Sequence, residues 1–437
     1  MRKKLYVAVV VGLFVFSCFP ATAKKLTLRY ALWDQNQRPA MEASIAEFMK
    51  NNPDIDVKVE LYPWADYWTK LTTGLATGTA PDVFWGHLAW FPSMVTRGQL
   101  LDLQPYIDRD KVDLSPYYPA LVEAWKYQGD SYGIPKDWDT IALFINKEMI
   151  AKAGLVYPAD LKWNPIDGGS FLRYIQKLTL DNTGRNALDP NFDPTNIVQY
   201  GFASENEPQP SWLNFVWENG GTGIINRPWG TKVVIDQPQT IAVLQFLNDL
   251  IYKYHVSPKP EARGVWPGPW SLWTGKKVAM VTNGSWMLPS ARSQASFPWD
   301  VAPLPAGPAG RISVFNGLAH EIPATCKHKE EAWKLCKWMD SPASQKIVSE
   351  MGIVFPAVKD LIPTFLKAFA GKKPEHIRVF IDETANTGWW PITEKWPRMW
   401  DVMQREFDLL WLGQYKTAEE AVKKVAVELR GIMKASE

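Results

Sequence analysis

The chain has 437 residues, of which 46% are hydrophobic and 22% are charged, and its formal net charge is +2. This length exceeds what one hydrophobic core usually supports, so it predicts two domains. A nearly neutral chain lacks the basic excess that binding to nucleic acid or to an anionic membrane requires, which argues against both functions.

Tryptophan is strongly over-represented, with 23 residues in the chain. An indole ring has a flat apolar face and a polar edge, and this combination suits the C–H patches of a carbohydrate. We therefore expect many of these rings, as a group, to face a ligand. A tryptophan-rich core is the alternative interpretation.

The N-terminal segment has the pattern of an export signal. The basic MRKK is followed by the apolar LYVAVVVGLFVF and by an Ala21-Thr22-Ala23 cleavage motif. The apolar run is short for a membrane span. We predict a signal peptide over residues 1–23, or a lipoprotein anchored through Cys18 as the alternative. Either pattern places the mature protein in the periplasm or cell envelope.

The mature chain opens with alternating strand and helix patterns. Leu26, Leu28 and Tyr30 alternate with polar residues, and a helical spacing follows until residues 51–53. A second strand, a second helix and a short apolar strand at 83–85 complete a β-α-β-α-β unit. This unit predicts an open, largely parallel α/β sheet, in which ligands bind beyond the carboxyl ends of the strands. The segments WDQNQ (33–37) and WGHLAW (85–90) lie at those ends.

Three later segments have clear patterns. VVID (233–236) reads as an apolar segment before a helix, and KVAMVTNGSW (277–286) reads as a strand that ends in another aromatic residue. KHKEEAWKLCKWM (327–339) has the pattern of an amphipathic helix. Because a continuous helix would hold Cys326 and Cys336 about 15 Å apart, we expect two free, buried thiols.

The C-terminal helix is predicted to begin at a capping box formed by Thr417 and Glu420.

Motifs for nucleotide, nucleophilic and zinc chemistry are missing from the sequence. It contains no G-x-x-x-x-G-K-[ST], no G-x-S-x-G and no H-E-x-x-H, and its five histidines are scattered. The oxygen-rich segment at 181–193 has a misplaced glycine for a calcium loop, so we interpret it as a cluster of solvated turns and leave calcium binding open. We predict no catalytic residue, no cofactor and no metal.

The segment YGIPKDWDTIALFINKEM (132–149) places Asp137 and Asp139 on either side of Trp138. A metal-dependent glycosyltransferase would need a small central residue and a basic cluster for a diphosphate, and neither is present. A glycoside hydrolase needs two carboxylates about 5–9.5 Å apart, which sequence spacing does not test. The remaining interpretation is a pair of hydrogen-bond acceptors in a sugar-binding cleft.

Seven segments in sequence order resemble the extracellular solute-binding proteins of carbohydrate ABC importers, the maltose-binding-protein-like family 1. These segments are FMKNNPDIDVKVE, GTAPDVFWGH, GQLLDLQPYI, YGIPKDWDTIALFINKEMIAKAGL, VAMVTNGSW, HKEEAWKLCKWM and TAEEAVKKV. The resemblance covers nearly the whole mature sequence.

The resemblance implies a two-lobed periplasmic-binding-protein fold, in which two discontinuous open α/β domains are joined by three hinge crossings near 136–141, 316–320 and 352–356. The N-terminal lobe is then expected at 24–137 plus 318–354. The C-terminal lobe is expected at 138–317 plus 355–437.

The implied function is that of the substrate-binding component of an ABC transporter. It would capture a neutral mono- or oligosaccharide by hinge closure and deliver it to the membrane subunits of a permease. Such a protein is not an enzyme, and we expect a monomer that binds no nucleic acid. A secreted glycoside hydrolase is the alternative.

Carried over by position, the resemblance implies ligand-binding roles for Trp33, Asp34, Gln35, Trp85, His87, Asp137, Asp139, Trp212, Trp286, Asn316, Trp389 and Trp390. Asp139 is expected to be the stronger of the two acceptors because it lies nearer the following strand. Tryptophans on helix patterns, such as Trp64 and Trp333, are expected in the core. The role of Trp138 stays open between stacking on sugar and packing in the hinge.

One departure from the family concerns specificity. Maltose-binding members carry an Asp-Arg pair after the position of His87, where this chain has Leu88 and Ala89. The identity of the sugar therefore stays open.

Overall fold

The computed structural model describes residues 25–259 and 268–435. The predicted signal peptide at 1–23, including Cys18, lies outside these residues. In chain order the strands are β1 (Leu26–Leu32), β2 (Ile55–Leu61), β3 (Val83–His87), β4 (Lys126–Tyr127), β5 (Asp130–Ser131), β6 (Ile134–Asp139), β7 (Ile141–Asn146), β8 (Leu180–Asp181), β9 (Ile197–Ala203), β10 (Val278–Gly284), β11 (Trp299–Ala302), β12 (Ser313–Glu321), β13 (Phe355–Pro356) and β14 (Thr387–Trp389).

Helices cover both sheets. The α-helices are Arg38–Asn51, Trp64–Thr77, Phe91–Val95, Gln104–Asp110, Pro119–Ala124, Lys147–Lys152, Gly169–Leu178, Leu213–Glu218, Pro238–Tyr252, Gly268–Thr274, Leu288–Gln294, Lys329–Asp340, Pro342–Glu350, Ile362–Lys367, Val379–Asp382, Trp396–Trp411 and Ala418–Lys434. Shorter turns of 3-10 or π type are Pro208–Trp212, Ser285–Met287, Lys359–Leu361 and Glu383–Ala385.

The strands form two main sheets. The larger has the order β13-β6-β12-β3-β1-β2, with β14 added to β12, and the smaller has the order β11-β7-β10-β9-β8. Strand β1 pairs in parallel with both β2 and β3, as the β-α-β-α-β pattern predicts. Strand β12 runs antiparallel to β3 and β6. The predicted α/β fold class is therefore confirmed.

Most of the predicted local signals agree with the structure. The helix Arg38–Asn51 ends where the Asn-Asn-Pro signal predicts, and Thr417 accepts a hydrogen bond from the Glu420 amide at 3.3 Å. The VVID segment precedes the helix Pro238–Tyr252, as its pattern indicates, and Val233 forms an isolated bridge to Ile225. Cys326 and Cys336 are buried free thiols, as expected.

The chain changes sheet between β6 and β7, with Thr140 as the only residue between them. It returns between β11 and β12, and β13 then adds beside β6. Two side chains stabilise the first transition: the Thr140 hydroxyl donates to Phe380 O at 2.7 Å, and the Ser313 hydroxyl accepts from Ile141 N at 2.8 Å. The first transition lies within the predicted crossing at 136–141. The second precedes the predicted crossing at 316–320, because β12 already begins at Ser313, and β13 stays in the sheet of β12. The lobe boundaries themselves stay a prediction.

Trp138 lies in the middle of β6 and is fully buried. Its ring stacks on Phe355, with 4.5 Å between centroids and 22° between planes, and it also contacts Phe315 at 5.8 Å. Because side chains alternate across a strand, Asp137 and Asp139 point to the opposite face. Trp138 therefore packs in the hinge and does not line the cleft between the sheets.

Much of the tryptophan excess is core. Nine rings in the described part of the chain are among the largest fully buried side chains: Trp85, Trp125, Trp138, Trp163, Trp212, Trp273, Trp299, Trp333 and Trp396. The expectation that many rings face a ligand is therefore too broad, and the tryptophan-rich core is the better description of these nine. In the described ranges, no helix combines the length and apolarity that a membrane crossing needs.

The loop that resembled a calcium site is closed by its own hydrogen bonds. One oxygen of Asp181 accepts from the Thr183 amide and hydroxyl and from the Arg185 amide, and the other accepts from the Asp193 amide. These donors lower the pKa of Asp181 to about 2, against the opposing effect of burial. The carboxylate is thus the acceptor of a turn cluster.

This geometry predicts that calcium has no effect on folding stability. Addition of millimolar CaCl₂ or of EDTA should leave the melting temperature unchanged, because a cation would have to displace four backbone and hydroxyl donors from Asp181. Differential scanning fluorimetry with MgCl₂ as the matched salt control measures this. A melting temperature that rises with calcium alone would contradict it.

Candidate functional site

A cleft of about 350 Å³ lies between the two sheets. Its wall on the side of the larger sheet comes from the carboxyl ends of β1 and β3 and from the start of the helix Trp64–Thr77. Its other wall comes from the turn Pro208–Trp212 and from Trp286 and Met287, and β6 and β12 form its floor. The sixteen lining residues are Trp33, Asp34, Asn36, Gln37, Trp64, His87, Asp137, Asp139, Glu207, Gln209, Pro210, Trp286, Met287, Asn316, Leu318 and Val354.

Asp139 is the central polar group of the floor. Its carboxyl accepts hydrogen bonds from Gln209 Nε2 at 2.7 Å and from Asn316 Nδ2 at 3.1 Å, and the residue is 7% exposed. Burial raises its pKa well above the usual value, although both amides oppose that shift. Asp139 thereby joins the floor to the wall that carries Gln209.

Asp137 faces the same cleft but is already paired. It forms an ion pair with Lys136 and accepts from the Leu318 amide at 3.2 Å. The Lys136 ammonium also donates to Gln37 Oε1 at 3.1 Å and lies 3.9 Å from the Trp85 ring centroid. The positive charge of Lys136 therefore balances Asp137 within the floor.

Trp85 lies beneath the cleft and does not line it. Its indole donates to the Tyr30 hydroxyl at 2.6 Å, and the ring is fully buried. Trp33 covers it at 5.1 Å, edge to face. Trp85 was expected on the cleft surface because it lies at the end of the third predicted strand and matches the family by position, but the ring of Trp33 occupies the space above it.

Three aromatic rings form one wall. Trp33 meets Trp64 edge to face at 5.1 Å, and His87 lies 5.6 Å from Trp64. Burial lowers the pKa of His87 to about 3, so its imidazole is neutral. The ring caps its own turn, since His87 Nδ1 accepts from Ala89 N at 3.1 Å, and it also lines the cleft.

Trp286 provides the aromatic face of the opposite wall. Its ring lies directly over Gly284, where an added Cβ would be 1.8 Å from the ring atom Cζ3. A glycine at this position is what allows the indole to lie against the backbone beside the cleft. The predicted Gly-Ser-Trp end of β10 is thus placed at the site.

The loop after β1 contributes Trp33 and Asp34 to the lining, as expected, but Asn36 and Gln37 in place of Gln35. Asp34 accepts from the Asn36 amide at 2.8 Å and from Gln37 Nε2 at 3.1 Å, so it shapes its own turn as well as lining the cleft. Burial raises the pKa of Asp34. Gln35 is exposed and does not line the cleft, whereas Asn36 and Gln37 do, because the turn directs these two side chains inward.

Three other predicted residues lie outside the cleft lining. Trp212 is fully buried against Phe407, with 5.5 Å between rings. Trp389 and Trp390 line a separate cavity of about 250 Å³, and Trp390 lies 5.6 Å behind the His87 ring. Helix Trp396–Trp411 covers Trp212 through Phe407 and Trp390 through Trp396, whereas Trp389 is half-buried against Phe315.

Several lining residues were not expected from sequence. Trp64 was assigned to the core by its helical spacing, but it is the first residue of its helix and its half-buried ring reaches the cleft. Glu207 and Gln209 lie at the start of the turn Pro208–Trp212, in an aperiodic Glu-Pro-Gln-Pro stretch. No sequence pattern indicates a function for this stretch. Burial raises the pKa of Glu207 to about 7, and the charge of Glu205 adds to the shift.

A second cluster of potential metal ligands lies away from the cleft. Asp300, Glu375 and His376 place their ligand atoms within 4.8 Å of one another. The Lys147 ammonium contacts Glu375 at 2.8 Å and Asp300 at 4.0 Å. Lys147 and His376 therefore supply the partners of these acids, and the cluster reads as a structural ion-pair network.

Most of the chain is similar to known solute-binding proteins. A family described as bacterial extracellular solute-binding protein matches residues 43–374, and the chain belongs to this family. A structure of an ABC substrate-binding protein from Listeria monocytogenes, in complex with cycloalternan, superimposes with a TM-score of 0.82 at 25% identity and covers 94% of this chain and 100% of that one.

Curated relatives are more distant in sequence. The maltotriose-binding protein of Pyrococcus abyssi is 23% identical over 309 residues, which are 69% of this chain and 60% of that protein. The match thus spans less than two thirds of that relative's length. The galactooligosaccharide-binding protein of Bacillus subtilis is 24% identical over 378 residues, which are 81% of this chain and 79% of that protein. The predicted family and function class are confirmed, and the hydrolase alternative finds no support among these proteins.

The position of Asp139 predicts a large loss of ligand affinity in Asp139→Ala. The change leaves the amides of Gln209 and Asn316 without their acceptor and removes a potential partner for a ligand hydroxyl, so we expect affinity to fall about a hundredfold. Isothermal titration calorimetry measures this, with a sugar that binds the unaltered protein as the titrant. Asp54→Ala, at the exposed amino end of β2, is the matched control, and equal affinities of the two variants would refute the role of Asp139.

Two tryptophans are expected to separate binding from stability. Trp286→Ala should weaken binding about tenfold, because it removes one aromatic face of the cleft. Trp333→Ala should instead destabilise the fold by about 3–5 kcal/mol, since that ring is fully buried and its indole donates to Asp110 at 2.8 Å. Urea denaturation and titration of both variants measure the contrast. A larger affinity loss in Trp333→Ala would contradict it.

Proposed function

We propose that this protein is the substrate-binding component of an ABC transporter and captures a mono- or oligosaccharide between its two lobes. The observation that carries the proposal is the cleft itself, with Trp33 and Trp64 on one wall, Trp286 on the other and Asp139 on the floor between them. Aromatic faces on opposite walls suit the two faces of a sugar ring, and carboxyl and amide groups suit its hydroxyls.

The proposed ligand contacts differ in part from those expected from sequence. Of the twelve residues, Trp33, Asp34, His87, Asp137, Asp139, Trp286 and Asn316 line the cleft, and we add Asn36, Gln37, Trp64, Glu207 and Gln209. We assign Trp85 a supporting role, because its ring packs under Trp33 and contacts the ammonium group of Lys136. Gln35, Trp212, Trp389 and Trp390 lie outside the lining.

Closure of the cleft would depend on contacts that already cross it. Asn36 Nδ2 donates to Ser290 Oγ at 3.0 Å, which links the loop after β1 to the helix that follows Trp286. We propose that the lobes are 24–137 plus 318–354 and 138–317 plus 355–437, and that they move about the β6–β7 transition. Burial of a sugar between them would require a partner for each of its hydroxyls.

The family is extracellular, so the protein acts at the periplasm or cell surface. We propose that the segment 1–23 directs this export, with Cys18 as the alternative lipid anchor, and that the closed monomer delivers its sugar to the membrane subunits of a permease. Solute-binding proteins of this family are not enzymes, and we propose that this chain also performs no catalysis, needs no cofactor and binds no nucleic acid.

A sugar panel tests the proposal. The mature protein is incubated with maltotriose, a galactooligosaccharide, an arabinooligosaccharide, mannobiose and glucose, and its melting temperature and intrinsic tryptophan fluorescence are followed. We expect at least one sugar to raise the melting temperature in a saturable manner and to remain chemically unchanged, because binding stabilises only the folded state. Absence of any shift with the whole panel, and with amine-bearing sugars of the same shapes, would count against the proposal.

The same incubation distinguishes the hydrolase alternative. Reducing ends that accumulate with time, and that are lost in Asp139→Ala, would replace the receptor with an enzyme. A constant sugar profile by chromatography, together with the melting shift, supports the receptor.

A further inference from the structure

The charges of the cleft are strongly unbalanced. Four of its sixteen lining residues are acidic, and no lysine or arginine is among them. Lys136, behind the floor, is committed to Asp137 and Gln37. His87, with its pKa lowered to about 3 by burial, adds no positive charge at neutral pH. Among the described lining residues, none supplies a cation to Asp34, Asp139 and Glu207, which share a partly desolvated space.

These three acids differ in how far the protein already uses them. Asp34 accepts two hydrogen bonds from its own turn, and Asp139 accepts two from Gln209 and Asn316. Among the described residues, none donates a hydrogen bond to the Glu207 carboxylate, although this side chain lines the cleft and burial raises its pKa to about 7. The Glu207 side chain is half-buried and no described lining residue supplies a counter-charge, so its ionisation is costly and a cationic ligand group reduces that cost.

The aromatic residues favour the same kind of ligand. The faces of Trp33, Trp64 and Trp286 carry negative electrostatic potential and attract a cation placed within about 6 Å. An anionic sugar would meet both these faces and the three carboxyl groups, and each would oppose its entry.

We propose that the cleft selects a sugar that carries an ammonium group, and that Glu207 is the residue that receives this group. The ligand class is an amino sugar with a free amine, as a monosaccharide or as one unit of an oligosaccharide. The inference rests on the proposed carbohydrate-binding function and replaces the expectation of a neutral ligand. Glu207 acts as a specificity residue, while Asp139 and Asn316 bind hydroxyls.

The test compares sugars of one shape and different charge. Binding of glucosamine, glucose and glucuronate, and of the β-1,4-linked glucosamine disaccharide and cellobiose, is measured by calorimetry at pH 7 and moderate ionic strength. We expect each amine-bearing sugar to bind at least tenfold more tightly than its hydroxyl counterpart, and glucuronate to bind more weakly than glucose. Equal or tighter binding of the hydroxyl sugars would overturn the inference.

Glu207→Gln identifies the residue responsible. This variant should reduce the affinity ratio between amine and hydroxyl sugar to about one, because it keeps the shape of the side chain and removes its charge. Glu383→Gln is the matched control: burial likewise raises the pKa of Glu383 to about 7, but this residue accepts from Leu304 N and is not among the lining residues. An unchanged ratio in Glu207→Gln would exclude Glu207 as the ammonium partner.

Failure of this inference differs from failure of the proposed function. If an uncharged oligosaccharide of the panel binds and no amine-bearing sugar does, the inference is wrong and the carbohydrate receptor stands. If neither the neutral panel nor the amine series binds, both are wrong.

Discussion

Alternation along strand β6 is the constraint on which the site depends. Trp138 points to one side of this strand and stacks on Phe355, while Asp137 and Asp139 point to the other side. The buried ring anchors the strand between β12 and β13, so the two carboxyl groups are held in place by core packing. The same strand ends one residue before the chain enters the second sheet, which puts the acceptors at the junction of the two lobes.

Burial and the available partners differ among the acids of the cleft. Asp137 is neutralised by Lys136, whose ammonium is itself positioned by Gln37 and by the Trp85 ring. Asp139 has only amide partners, and Glu207 has no hydrogen-bond donor among the described residues, so desolvation raises the pKa of both. The cleft thus combines one balanced ion pair with two carboxyl groups that have no counter-charge among the described lining residues.

The tryptophan excess serves two purposes that composition alone does not separate. Trp33 and Trp64 face the cleft, and Trp85 lies directly beneath Trp33. A continuous aromatic layer therefore joins the ligand surface to the core, and it restricts the orientation of the outer rings. Such rigid rings lose little conformational entropy when they bind a ligand, which favours affinity.

The sequence alone determined the fold class and the family, because strand alternation, helical spacing and segment order are local patterns that survive distant divergence. It also located Trp33 and Trp286 at the cleft, since strand ends in an α/β sheet converge at one edge, and the family resemblance placed Asp139 and Asn316 there. Only the tertiary structure decided which of two neighbouring residues lines the cleft. Trp85 does not line the cleft because the ring of Trp33 covers it. Asn36 and Gln37 line the cleft in place of Gln35 because their turn directs these two side chains inward. Trp64 lines the cleft because its helix begins there. Glu207 carries no sequence signal at all, because its position depends on an irregular turn and its charge state depends on water excluded by distant segments of the chain.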